Sequence, residues 1–178
     1  MGYGFTPTYR KGEKGKYQLI INVKSWKTLK QKIKQITRKT TPMSFDERIS
    51  KLNEVMRGWT EYFRMAGIQE KFRSLDGWIR NRLRYCIWHH WKKPERKRKN
   101  LIRLGVKPDD AYAWSRTRKG GWAVAQSSIL ITTITLERLR MRGYTSFLEL
   151  FLKISPRLDE PPCTRPVRTA CPAMAGVV

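Results

Sequence analysis

The chain has 178 residues, room for one domain or two small ones, and 40% of them are hydrophobic, enough for a core. Its 38 Lys and Arg stand against 14 Asp and Glu, a formal net charge of +24. A charge of that size destabilises the compact state by self-repulsion unless a polyanion neutralises it, so nucleic acid is the partner class to expect. Seven tryptophans argue against full disorder. No apolar run approaches the roughly 20 residues that cross a bilayer. Met1 to Phe5 shows neither the basic nor the apolar part of a signal peptide. The three cysteines, Cys86, Cys163 and Cys171, suggest no disulfide framework, which favours the reducing cytoplasm.

In chain order, Tyr3 and Phe5 alternate with glycines. After a polar turn at Lys11 to Gly15, Tyr17, Leu19, Ile21 and Val23 repeat with period two, the pattern of a β-hairpin. A lone hairpin is marginal in water, so it must rest on something else. From Ser25, taken as N-cap, the period becomes helical through Trp26, Leu29, Ile33 and Ile36. Thr41-Pro42 breaks it, and Ser44 to Glu47 has capping-box spacing. Phe45, Ile49, Leu52, Met56, Trp59 and Phe63 then mark a second helix, in which Gly58 suggests a close helix crossing.

A third helix is expected from about Phe72 to Trp91, with Leu75, Trp78 or Ile79, Leu83, Cys86 and His90 towards the core. Pro94 and Pro108 suit first turns of helices, and Gly105 suits a helix end. Ser127 or Ser128 could cap a helix running to Met141 and closed by Gly143, although Ile129 to Ile134 reads as strand by β-branching. A short helix from Thr145 to Ile154 follows, and the proline-rich tail is expected to be disordered.

The densest signal is Arg80 to Lys99, where cations alternate with Tyr85, Trp88 and Trp91. Cations neutralise phosphates, and flat aromatic planes stack on bases. The stretch Leu83-Arg84-Tyr85-Cys86-Ile87-Trp88-His89-His90-Trp91-Lys92-Lys93-Pro94 resembles the maturase-specific region of group II intron-encoded reverse transcriptases. Gly58-Trp59-Thr60-Glu61-Tyr62-Phe63 is similar to that family's Gly-Trp-x-x-Tyr-Phe signature. Asn100 to Val106, Thr117 to Trp122 and Gly143 to Phe147 extend the resemblance, which covers about residues 1 to 153.

The resemblance implies a mostly α fold. Residues 1–23 would be the remnant of a palm hairpin and 24–92 a thumb-like three-helix bundle. Residues 93–155 would form a small helical nucleic-acid-binding module, and 156–178 the tail. It also implies an RNA-binding maturase region that helps intron RNA reach its splicing-active fold, as a cytoplasmic, bacterial-type ribonucleoprotein. The family's catalytic Tyr-x-Asp-Asp loop has no counterpart in these residues, so no catalytic residue is expected here. No cofactor is expected either, with Mg²⁺ entering only through the RNA or an absent palm. Three alternatives stay open. The chain could be a reverse-transcriptase thumb that holds template–primer and needs fingers and palm in trans. It could be a general basic DNA-binding module contacting a DNA target, or a decayed gene fragment.

Phosphate contacts are expected from Lys27, Lys30, Lys34, Arg38, Arg80, Arg84, Lys92, Lys93, Arg96, Lys97, Arg98, Lys99, Arg116, Arg118 and Lys119. Trp88 and Trp91 are candidates for base stacking, while Trp114 and Trp122 suit either packing or stacking. Trp59, Trp78 and Phe63 lie at core spacing. Asp109-Asp110 follows Pro108, where acids favour the helix dipole and need no metal to explain them. Cys86, His89 and His90 lack the second Cys/His pair that structural zinc requires. Gly120-Gly121 lacks the Lys-Ser/Thr of a phosphate loop.

Overall fold

A computed structural model of the chain describes residues 2–7, 17–66 and 69–154. The turn expected at Lys11 to Gly15 and the tail expected beyond Pro156 lie outside them. The described part is mostly helical. Strand β1 (Tyr3–Pro7) pairs antiparallel with β2 (Tyr17–Ile21), Tyr3 opposite Ile21 and Pro7 opposite Tyr17. Helices α1 (Val23–Ile36), α2 (Phe45–Tyr62) and α3 (Gln69–His90) follow. Six shorter helices complete it: α4 (Pro94–Arg103), α5 (Pro108–Ser115), α6 (Gly121–Ala125), α7 (Ser128–Thr133), α8 (Leu136–Met141) and α9 (Phe147–Ile154).

The hairpin does rest on the helices. Tyr3 lies 5.1 Å from the Phe63 ring and donates its hydroxyl proton to the Tyr62 carbonyl, while Ile21 is buried. α1 begins earlier than Ser25. Asn22 caps it, Oδ1 accepting from the Lys24 amide at 3.0 Å, because the same residue's amide already donates to the Gly2 carbonyl of the hairpin. Ser44 caps α2 through a 3.2 Å bond from the Glu47 amide. An aromatic seam joins these helices: Trp26 stands 5.4 Å from Trp59, which stands 4.2 Å from Phe63.

α3 carries the widest buried stripe, since α6 and α9 cover it on separate faces. Phe72, Leu75, Ile79, Leu83, Cys86 and Trp88 are buried, whereas His90, expected to face the core, is exposed. The close crossing expected at Gly58 is absent there, for that residue is exposed with open space around it. The close approach falls instead at Gly121, where an added methyl would stand 3.2 Å from Tyr85 Cε2. Ser127 to Met141 is not one helix. It breaks at Ile134, and Thr135 caps α8 through the Arg138 amide.

Gly105 and Gly143, at φ +96° and +87°, end α4 and α8 in the left-handed conformation that glycine adopts without penalty. Each ending has the paired bonds of a Schellman turn. Val106 N donates to Leu101 O and Gly105 N to Ile102 O; Tyr144 N donates to Leu139 O and Gly143 N to Arg140 O.

The turn after Gly143 brings α9 against α2 and α3. Asp76 of α3 is buried, and its carboxylate accepts from Tyr144 Oη (3.1 Å), Ser146 Oγ (2.5 Å), Phe147 N (2.7 Å) and Leu148 N (3.0 Å). Asn53 of α2 adds two more bonds, donating to Gly143 O and accepting from Thr145 N. The two amides at the start of α9 would otherwise be orphaned, and a carboxylate from another helix satisfies them. Phe147 stacks on Phe72 at 4.6 Å beneath that cap.

Candidate nucleic-acid interface

The arginines divide by what their donors do. Arg48 on α2 is buried, giving Nη1 to the Arg38 carbonyl and Cys86 Sγ, and Nη2 to the Thr41 carbonyl. Arg82 on α3 donates to Thr37 Oγ1 and to the carbonyls of Lys34 and Thr37. Together they satisfy carbonyls at the C-terminal end of α1 and in the linker that follows it. Arg138 does the same for Leu104 and Thr133. The Cys86 thiol donates to the Thr37 carbonyl within this group, and burial pushes its pKa up against the opposing pull of Arg48.

Two expected contacts need correction on the same grounds. Arg84 is buried, its Nε donating to Ile134 O at 3.1 Å and Nη1 to Asn81 Oδ1 at 2.9 Å. Burial, helped by nearby Arg80, lowers its pKa, and its Nε and Nη1 are occupied inside the protein. Trp88 belongs to the core because α6 crosses over it at Gly121. It is no platform for a base. Lys97 is half-buried with Nζ 4.5 Å above the Trp88 ring, and its pKa is lowered by burial.

The remaining cations are placed differently. Lys27, Lys30 and Lys34 are exposed on α1, whose buried residues are Leu29 and Ile33, and Arg38 is exposed just past its end. Lys92, Lys93, Arg96, Arg98 and Lys99 are exposed through the α3–α4 joint and along α4, whose only buried residue is Leu101. Arg80 is half-buried. Arg116, Arg118 and Lys119 are exposed between α5 and α6; Arg116 lies 4.6 Å over Tyr112 and Lys119 5.7 Å over Trp114. Trp91, Trp114 and Trp122 are half-buried, the last beside Arg82 at 5.8 Å. Among the described residues just two ion pairs form, Lys51–Glu47 and Arg140–Glu149, so this cationic surface has almost no internal acid to answer it.

Asp109 and Asp110 are exposed in the first turn of α5. Among the described residues, no three His, Cys, Asp or Glu gather as a metal group would need. No described helix is long and apolar enough to cross a membrane.

The geometry also gathers residues that the sequence did not single out. A cavity of about 880 Å³ opens between the α1–α2 linker, the end of α3, the end of α4 and α8. Lys39, Lys92, Arg103 and Arg142 stand at it with Arg48 and Arg138, and among the described residues no Asp or Glu lines it. Lys39, Arg103 and Arg142 come from segments far apart in the chain, so no local spacing marks them as a set.

The outward faces of this helical bundle carry cations that few acids among the described residues answer. Comparison with known families makes this specific: residues 26–105 match the profile of the group II intron, maturase-specific domain. The match marks that segment as a maturase-specific domain and supports a group II intron maturase-related function for it. No curated protein matches the chain.

Proposed function

We propose that this chain is an RNA-binding maturase region that binds group II intron RNA and helps it fold for splicing. The observation that carries this is the exposed cation set of α1, the α3–α4 joint and α4, unpaired among the described residues and lying within or beside a maturase-specific domain. Folding a large RNA brings phosphates together, and positive side chains lower that cost. Recognition would rest on backbone, shape and exposed loops, since side chains cannot read the deep groove of an RNA duplex. The protein supplies binding, and the intron RNA carries out the chemistry.

The test is binding to a group II intron RNA, with duplex DNA and a scrambled RNA as competitors, across a salt series. A preference for the intron that persists as salt rises supports the proposal. Equal binding to all three, collapsing with salt, reduces the chain to a general polycation. Replacing Arg96, Arg98 and Lys99 by Ala should flatten the logarithmic salt slope by about 0.7–0.9 for each phosphate that is no longer neutralised.

A second reading has its own observation. Phe5 and Tyr17 are exposed on a two-stranded sheet. An open strand edge is a template for pairing with another chain. A thumb working with fingers and palm in trans would place that edge against the palm. Added fingers–palm polypeptide should then restore DNA synthesis on a template–primer.

A further inference from the structure

The cavity between the α1–α2 linker, α3, α4 and α8 has two kinds of wall. One is apolar and partly aromatic: Phe45, Ile87, Trp91, Leu104 and Leu139. The other is the set of exposed cations Lys39, Lys92, Arg103 and Arg142. The two remaining arginines there, Arg48 and Arg138, already donate to carbonyls and hold the walls in place. The exposed four take no part in an ion pair among the described residues. Arg142 lies 5.2 Å over the Phe45 ring, so a cation and an aromatic face meet within the site.

A volume of about 880 Å³ is in the range of pockets that enclose a small organic ligand. A purely apolar ligand would leave the cations unanswered, and inorganic phosphate would leave the apolar wall uncovered. A nucleotide has both parts, a flat base and a phosphodiester on each side. The rim also continues into the exposed cations of α1 and α4: Lys39 follows Arg38 at the end of α1, and Lys92 precedes Lys93 and α4. A single strand held along those cations passes the cavity mouth.

We infer that this cavity takes up one unstacked nucleotide of a single-stranded RNA segment, its base against the Phe45–Trp91–Leu139 wall and its phosphates on Lys39, Lys92, Arg103 and Arg142. The inference rests on the RNA-binding proposal and deepens it, from a charged surface to a specific receptor for an unpaired position. Bases that leave the helical stack are the parts of an RNA that a protein can recognise individually.

Met43 and Met141 line the cavity, whereas Met56 is in the core and Met65 does not line it. The full chain, labelled with ¹³C at the methionine methyls, can therefore report occupancy by NMR. The probes are the trinucleotide pApApA, adenosine, inorganic phosphate and hexaglutamate. The trinucleotide should shift the Met43 and Met141 methyls saturably and leave Met56 and Met65 in place. Adenosine and phosphate, each half of the ligand, should bind at least tenfold more weakly.

The double variant Lys92→Glu, Arg142→Glu should lose trinucleotide binding at least tenfold with its urea midpoint not lowered. Lys39→Glu, on the exposed linker, should do the same if the double variant unfolds. Motionless Met43 and Met141 signals overturn the inference, as does hexaglutamate binding as tightly as the trinucleotide. The same samples are assayed for intron RNA. Retained intron binding with still methyls removes the nucleotide site alone, while loss of intron binding by the native chain removes the proposed function itself.

Discussion

Residues 134–148 meet the α1–α3 bundle at two successive places that differ in charge balance. At the second, Tyr144 to Leu148 turn onto Asp76, and every donor aimed at that carboxylate is within bonding distance. At the first, Ile134 to Arg142 border a cavity with cations and, among the described residues, no acid. A buried carboxylate surrounded by matched donors has nothing left to offer a partner, so it serves the fold. Cations gathered without carboxylates repel one another, and their proximity makes sense once an anion sits among them. The difference separates arginines and acids that hold the structure from those free to act outside it.

The most damaging change to the closed side should be Asp76→Ala. It leaves two hydroxyls and two amides of α9 unpaired in a buried place, and the loss should exceed about 3 kcal/mol in urea unfolding. An unchanged midpoint would break the distinction between the two places. The site also carries a pH signature. Burial, and then the Asp76 charge and hydrogen bond, push the Tyr144 hydroxyl well above its usual pKa of 10.0. The folded state thus holds this proton more tightly than the unfolded chain. Its contribution is fully present below about pH 10 and is lost as pH rises through the folded value. Stability should therefore fall above pH 10, and Tyr144→Phe should remove that part of the fall.

Next in size is a contrast between two arginines of the open side. Arg48 and Arg103 both line the cavity, yet Arg48 gives its donors to Arg38, Thr41 and Cys86 while Arg103 is exposed. Arg48→Met should cost about 2 kcal/mol by removing the buried guanidinium's bonds to the part-buried carbonyls of the α1–α2 joint and to Cys86. Arg103→Met should leave the free energy of urea unfolding within about 0.5 kcal/mol of the native chain's. Its effect should appear in trinucleotide affinity instead. Similar losses of stability from both would erase the division between holding and binding arginines.

Much of this architecture was readable in the sequence because it rests on local chemistry. The Ser44 cap, the α2 stripe, the first-turn prolines of α4 and α5, and the glycine endings at 105 and 143 each depend on residues within a turn or two. What failed depends on tertiary neighbours. Trp88 and Arg84 look like surface residues within a basic run, and only the passage of α6 and Ile134 over α3 makes them interior. Gly58 and Gly121 illustrate the same limit, since a glycine's spacing does not reveal whether another helix lies against it. The cavity was invisible because its cations converge from three distant segments. Asp76 was equally silent, one of two acids on a basic helix, with partners about seventy positions away.

The smallest effect tests the idea that the open side is destabilised by its own charge. Lys92 is exposed beside Lys93 and the cavity cations, with no carboxylate in the cavity lining. Neutralising it as Lys92→Gln removes repulsion and breaks no side-chain hydrogen bond among the described residues, so stability should rise slightly, by no more than about 0.5 kcal/mol. Salt should act in the same direction, because repulsion between exposed charges fades once the screening length drops from about 10 Å at 0.1 M to about 3 Å at 1 M. The native chain should therefore gain more thermal stability from added NaCl than the Lys92→Gln variant does. Asp76→Ala should show the same salt gain as the native chain, since its neutral and charge-assisted bonds are buried away from the ions. If Lys92→Gln instead lowers stability, the cations at the cavity are structural, and the open side is as closed as the one around Asp76.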